Sequence, residues 1–293
     1  MAITAAMVKE LRERTGAGMM DCKKALTETG GDIDAAVDLM RKSGAAKADK
    51  KASRVAAEGV VIIERDNNRA AIVEVNCETD FVAGGDDFRD FASAVAQAVL
   101  ANAPDNDGAL ADIALDSGKN LDETRRELIA KIGENIQVRR FGVLESKGPL
   151  GTYVHGNDKI GVLVALDGGD EDLARDVAMH IAWSNPSCLR PEDVPAELVA
   201  KEKEILVEQA RGEGKPDNII EKMVGGRLNK FLNEVSLLGQ AFVKDPKVNV
   251  GKLLGAAGSV VDGYLRFEVG EGIEKKTEDF AAEVMAQVQG SDS

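Results

Sequence analysis

Val60-Val61-Ile62-Ile63, then Asp66-Asn67-Asn68, then Ala71-Ile72-Val73-Glu74-Val75 are the residues on which the fold turns. Two runs rich in β-branched side chains around a short polar break predict an antiparallel hairpin. A helix should follow, because Phe88, Phe91, Val95, Ala98 and Val99 recur at three- and four-residue steps on one face. The same order returns later in the chain. Thr152-Tyr153-Val154, Gly156-Asn157-Asp158 and Ile160-Gly161-Val162-Leu163-Val164 predict a second hairpin. The helix after it, Leu173-Ala174-Arg175-Asp176-Val177-Ala178, can be laid over Phe91-Ala92-Ser93-Ala94-Val95-Ala96. The expected fold class is α+β, with two related core subdomains (56–147 and 148–275) built on antiparallel sheets.

The two copies differ in one place. Between strand and helix the first carries Asn76-Cys77-Glu78-Thr79-Asp80-Phe81-Val82-Ala83-Gly84-Gly85, while the second has only Leu166-Asp167-Gly168-Gly169. A longer connection bearing an apolar ring is where a rigid sheet would present something to a partner.

Outward from the sheets, the ends read as helical. In residues 1–55, Ile3, Met7, Val8 and Leu11 mark one helix ended by Thr15-Gly16-Ala17-Gly18. Met19, Met20, Ala25 and Leu26 mark a second, stopped at Gly30-Gly31. Asp32 is placed to cap a third, with Ile33, Ala36, Val37 and Met40 inward. So small a bundle suits a docking module better than a catalytic scaffold. Ala45–Arg54 reads as a basic tether between this bundle and the core. Beyond the second hairpin, Pro195–Ala210 and Pro216–Leu232 predict an inserted helical hairpin over about 195–232, with Leu198, Ile205, Ile220, Met223, Val224 and Phe231 at its seam. Val260–Val269 reads as a returning strand, and Thr277–Val288 as an amphipathic helix within a C-terminal module, 276–293.

Composition narrows the function. Of 293 residues, 44% are hydrophobic and only 4% aromatic, and the formal net charge is −14. Polyanion binders cluster Lys and Arg, and base-stacking proteins use aromatic rings, so direct nucleic-acid binding is not expected. Residues 1–55 hold 11 basic and 8 acidic side chains, +3, which leaves −17 on the rest. The three cysteines, Cys22, Cys77 and Cys188, lie far apart and imply a reducing compartment. Charged residues from Lys9 to Arg14 interrupt any signal-peptide core, and no apolar run approaches a membrane span, so a cytoplasmic protein is expected.

Signs of chemistry are few. His155 and His180 are the only histidines, and neither has metal-site spacing to a cysteine. No G-x-S-x-G occurs, and Gly212-Glu213-Gly214-Lys215 is followed by Pro216 and preceded by no strand, so it is a turn rather than a phosphate loop. No catalytic residue, metal or cofactor is expected.

Five stretches, in order, resemble the bacterial elongation factor Ts family. They are Val8–Leu26 (VKELRERTGAGMMDCKKAL), Glu74–Ala83 (EVNCETDFVA), Lys131–Ile136 (KIGENI), Gly226-Arg227 with Glu234–Leu237, and Arg266–Glu274 (RFEVGEGIE). The resemblance implies an N-terminal three-helix, ubiquitin-associated-like docking module, two related core subdomains, the inserted hairpin and a C-terminal module. It implies guanine-nucleotide exchange, without covalent chemistry, on elongation factor Tu, bound both with GDP and nucleotide-free. It implies that Asp80 and Phe81 enter the GTPase near its magnesium site, with Thr79 and Val82 completing the motif. Arg12, Met19 and Met20 match docking positions, and Ile132, Gly133 and His155 match core contacts. The helical hairpin is tied to self-association in some members; the hairpin here departs from the family pattern in turn and length.

Residues alone leave alternatives open. An Asp80 N-cap with Phe81 tucked into its own core is the favoured bland reading, and the resemblance with the longer connection reverses it. One of Met19 and Met20 is expected to be an exposed anchor, since adjacent helix positions face apart. His155 is equally a hairpin residue or a contact. Two other classes compete: an RNA-associated adaptor working through residues 41–54, and an enzyme pairing Cys77 with His155.

Overall fold

In the computed structural model, which describes residues 3–115, 118–213 and 216–274, the first hairpin forms in the expected place. Strand β1 (Glu58–Asp66) pairs antiparallel with β2 (Arg69–Cys77), from Glu58 opposite Cys77 to Asp66 opposite Arg69. That register leaves Asn67-Asn68 as the turn. Asn67 takes φ 52°, a left-handed conformation that asparagine tolerates better than most residues.

Three helices precede the hairpin: α1 (Ala5–Thr15), α2 (Met19–Glu28) and α3 (Ile33–Lys51). Leu11, Cys22, Leu26 and Ala36 are buried together between them. Asp32 caps α3 as expected, its carboxylate accepting from Ala35 N at 3.0 Å. The expected tether is not there over most of its length, because α3 continues to Lys51. The reason is packing: Ala48 is buried in the main core and Gly44 lies against Ala130. A run of small residues lets this helix approach the core closely instead of looping free of it.

After β2 come α4 (Asp80–Ala83), α5 (Asp86–Asn102), α6 (Asp107–Ala111) and α7 (Leu121–Ile132). Phe88, Phe91, Val95 and Val99 of α5 are buried against the sheet, as their spacing predicts. Helix α7 opens with a capping box in which Asn120 accepts from Glu123 N and Glu123 accepts from Asn120 N. A third strand, β3 (Gln137–Glu145), then pairs with β2, giving the order β1-β2-β3.

The second half repeats the hairpin and helix. Strands β4 (Leu150–His155) and β5 (Ile160–Asp167) are followed by α8 (Glu171–Ser184), capped by Asp170. Helices α9 (Ala196–Gly212) and α10 (Asp217–Val235) then fold back on each other. Their seam differs in part from expectation: Leu206, Ala210, Ile220 and Val224 are buried there, whereas Leu198 and Ile205 are exposed. A short ribbon, β6 (Ala241–Phe242) and β7 (Asp245–Asn249), leads through α11 (Val250–Ala256) to β8 (Val260–Glu268), which pairs with β5. The second sheet is β4-β5-β8, antiparallel throughout. The expected helix at 277–288, and with it the 276–293 module, lies outside the described residues.

The two sheets lie face to face. Val61, Ile72, Leu150, Leu163 and Phe267 are buried between them. Contact is closest where side chains are missing: a Cβ on Gly161 would fall within the Val61 side chain, and one on Gly142 would meet Leu265 Cδ1 at 2.8 Å. Helices α5 and α7 cover the outer side of the first sheet, and α8 and α11 the outer side of the second. The order is therefore helices, sheet, sheet, helices. A buried carboxylate fastens the halves. Glu74 accepts from Arg139 at 3.0 Å, Arg140 at 2.5 Å and Gly270 N at 2.8 Å, the last just past β8.

Candidate docking surface

Cys77 ends β2, and the next residues leave the sheet edge as the single turn α4. Thr79, not Asp80, is the N-cap: its Oγ1 accepts from Val82 N at 3.4 Å. Threonine is among the preferred N-cap residues, and its taking the cap leaves Asp80 to solvent. Ala83 is buried and Val82 is half-buried against the first-sheet core. With those two facing inward, Phe81 faces outward. It is 89% exposed, so the bland placement in its own core does not hold. Its ring stands in solvent beside the exposed Asp80.

The turn is tightly fastened at its start. Glu134 accepts from Glu78 N and Thr79 N, both at 3.0 Å, through Oε2, and from the Thr79 hydroxyl at 2.7 Å through Oε1. In return Asn135 N donates to Glu78 Oε1 at 2.6 Å. Ile132 and Gly133 stand immediately before this pair. Gly133 ends α7 with φ 93°, the left-handed value that favours glycine. Its carbonyl accepts from Lys51 Nζ at the end of α3. Asn135 Nδ2 donates to the carbonyls of Ala52 and Arg54 at 3.4 and 2.8 Å. The structure thus brings Thr79–Val82 together with Ile132 and Gly133. Sequence reading did not single out Glu134 and Asn135, although both lie in the quoted KIGENI stretch.

The other candidate residues sit elsewhere. Arg12 is exposed on α1, and Met19 and Met20 open α2, 61% and 77% exposed. Both methionines, not one, face solvent, because the bundle core begins a turn later at Cys22. Helix α2's N-terminal end is carried next to the core through Gly16, beside the Lys131 stem, and Lys131 pairs with Asp87 at 2.7 Å. His155 is exposed at the end of β4, its Nδ1 3.2 Å from the Tyr153 hydroxyl with the rings stacked. The adjoining turn is tied across to the first half: Asp158 pairs with Arg89 and accepts from Val61 N, and Lys159 donates to Glu58 at 2.9 Å.

Cys77 is fully buried, and its thiol donates to the Thr79 carbonyl at 3.1 Å. Burial, reinforced by the Glu134 carboxylate, pushes its pKa up to about 12. A thiol so held is not a nucleophile near neutral pH, which removes the basis for an enzyme built on Cys77 and His155. Of the six cations in residues 41–54, four are already engaged: Arg41 with Glu123, Lys47 with Asp21, Lys51 with Gly133 and Arg54 with Glu78. They are arranged to hold α3 in place more than to meet phosphates. Among the described residues no cluster of three His, Cys, Asp or Glu side chains could hold a metal ion. None of their helices is long and apolar enough to cross a membrane.

Comparison with known proteins agrees with the motifs. A family model described as "Elongation factor TS" matches residues 78–271. The chain is 61% identical over 295 residues to "Elongation factor Ts" of Thioalkalivibrio sulfidiphilus (strain HL-EbGR7), covering 99% of this chain and 100% of that protein. It is 60% identical over 294 residues to "Elongation factor Ts" of Methylococcus capsulatus (strain ATCC 33009 / NCIMB 11132 / Bath), with the same coverage. For the protein of that name from Alkalilimnicola ehrlichii (strain ATCC BAA-1101 / DSM 17681 / MLHE-1) the identity is 59%, again over 99% and 100%. Motif order, an α+β fold with antiparallel sheets behind a helical N-terminus, and end-to-end identity with these relatives place the chain in the elongation factor Ts family.

Proposed function

We propose that the chain is a guanine-nucleotide exchange factor for elongation factor Tu in translation elongation, with no covalent chemistry of its own. The observation that carries this reading is Phe81, held out from a firmly anchored turn at 89% exposure beside the exposed Asp80. Family membership supports it. On this reading Phe81 enters between elements of the GTPase, and Asp80 disturbs the surroundings of its magnesium ion, weakening the hold on the GDP phosphates.

Exchange is then a matter of linkage. A protein that binds the nucleotide-free state of its partner more tightly than the GDP-bound state must weaken GDP by the same factor. Burying one phenylalanine ring supplies roughly 1.5–3 kcal/mol, about one to two orders of magnitude in affinity. Displacing a tightly held nucleotide takes more. We assign the remainder to docking by the N-terminal bundle through Arg12, Met19 and Met20, and by the second half around His155. The two sheet-and-helix halves serve as related subdomains carrying separate grips.

The test is release of a fluorescent GDP analogue from elongation factor Tu, followed with and without the purified chain. Release is expected to accelerate in proportion to added chain until it saturates. A release rate that does not respond to the chain overturns the reading.

A further inference from the structure

We propose that Glu134 is the positioning residue of the exchange turn: its carboxylate sets the direction in which Asp80 and Phe81 leave the surface. The proposal rests on the exchange reading above and names the group through which that reading works.

Helix α4 is only four residues long, too short to hold its own geometry. Its far end is pinned by Ala83 and Val82 in the core. Its near end has no apolar anchor, since Glu78 and Thr79 are polar and Asp80 and Phe81 are exposed. Besides single bonds from the Cys77 thiol to the Thr79 carbonyl and from Asn135 N to Glu78, what holds the near end is Glu134, which gathers three donors from two consecutive residues on its two oxygens. Such charge-assisted bonds are shorter and stronger than neutral ones. The Thr79 hydroxyl gives its only hydrogen to Glu134 and turns a lone pair to Val82 N. The carboxylate therefore orients the cap, and the cap orients the turn. Phe81 has little packing of its own to do this work.

Glu134 also stands between two residues that grip the end of α3, Gly133 through Lys51 and Asn135 through the carbonyls of Ala52 and Arg54. The element carrying the N-terminal bundle and the turn carrying Phe81 are thus held by three consecutive residues. Docking through one fixes the approach of the other.

The test uses the full chain and elongation factor Tu loaded with fluorescent GDP, with release rate measured against chain concentration. Glu134→Ala is expected to lower the saturating rate by about tenfold or more while the half-saturating concentration stays within about threefold. Glu134→Gln should keep both within about threefold, because one amide oxygen can accept the two N–H groups while the NH₂ donates to the Thr79 hydroxyl. Amide hydrogen exchange at Glu78 and Thr79 gives a readout independent of the partner, and both should lose protection in Glu134→Ala but not in Glu134→Gln. Should Glu134→Ala fold poorly, Thr79→Val removes the hydroxyl's bonds to Glu134 and to Val82 N while leaving both amide bonds to Glu134, and is expected to slow the saturating rate, with Thr79→Ser restoring it. The proposal is overturned if Glu134→Ala releases GDP like the parent, if Glu134→Gln is as slow as Glu134→Ala, if only the half-saturating concentration moves, or if protection at Glu78 and Thr79 is unchanged. A parent chain that leaves GDP release unaltered sinks the exchange reading itself, whatever the exchange of those amides shows.

Discussion

Phe81 combines high exposure with a fixed backbone, so the cost of removing its ring should fall on binding and not on folding. Phe81→Ala is expected to slow GDP release from elongation factor Tu by about ten- to a hundredfold, the worth of one buried ring. The thermal unfolding of the free chain should shift by less than about 0.5 kcal/mol, as for other exposed positions. Stopped-flow release and a melting curve check the two halves of this expectation. Unaltered release in the variant would rule out the ring as a wedge. Local pattern alone left the direction of Phe81 undetermined, and the outward reading came from the family resemblance and the longer connection. A four-residue turn is too short for periodicity to define a face, and buried phenylalanine is the commoner outcome. Which of Thr79 and Asp80 caps the turn was equally undetermined, because both side chains cap well. Glu134 lies 55 positions from Thr79, and no local pattern links residues so far apart. Cys77 was the easier case, since a cysteine at the end of an apolar strand reads as a small buried group.

Among elements, α3 departs most from what its composition suggests. Residues 45–51 are rich in alanine and lysine, and with no large apolar side chain they read as a tether. The buried face is built instead from Gly44 and Ala48, whose small size is what permits close contact with α7 and the core. Ala48→Asp discriminates the two pictures. In a solvated tether it would be nearly neutral. At a site 3% exposed it should cost roughly 3 kcal/mol or more, because the carboxylate is buried without a partner. Urea unfolding of the variant measures this, and an unchanged midpoint would return α3 to the status of a tether. Strand β3 is the other element that escaped its sequence. Opposite Glu74 and Val75 it carries a bulge, so the consecutive Arg139 and Arg140 both reach the Glu74 carboxylate. The extra residue breaks the alternation by which a strand is recognised. The hairpins β1-β2 and β4-β5 and the faces of α5 were legible because their apolar periods run uninterrupted.

At the scale of the whole molecule, two buried titratable groups tie stability to pH with the same sign. Burial by itself would raise the pKa of Glu74, but the Gly270 amide and the two arginines outweigh it and hold it below its usual 4.5. Its contribution is therefore present above that value and is lost as pH falls below it. Burial also lowers the pKa of His180 from 6.5, against a smaller opposing effect of Gln240. Its Nδ1 accepts from Val243 N at 3.2 Å, so the neutral ring donates through Nε2 to Gln240. The unfolded chain takes up that proton first, and stability should decline as pH drops below about 6.5. Urea midpoints are expected to fall from pH 7 to pH 5.5, to do so also in His155→Gln, and to fall again below pH 4.5. A flat profile between pH 7 and pH 5.5 would contradict the neutral, buried state of His180. Nothing local reveals either group, because each is defined by neighbours from distant parts of the chain. The glycines between the sheets carry a consequence of another kind. Where Gly161 meets Val61 there is no spare layer of side chains to compress, so the gap between the halves behaves as the fixed jaw width of a caliper. On the exchange reading, a GTPase gripped at Phe81 and at His155 is gauged against a span it cannot stretch. When the span and the GDP-bound shape disagree, the GTPase is the one that yields.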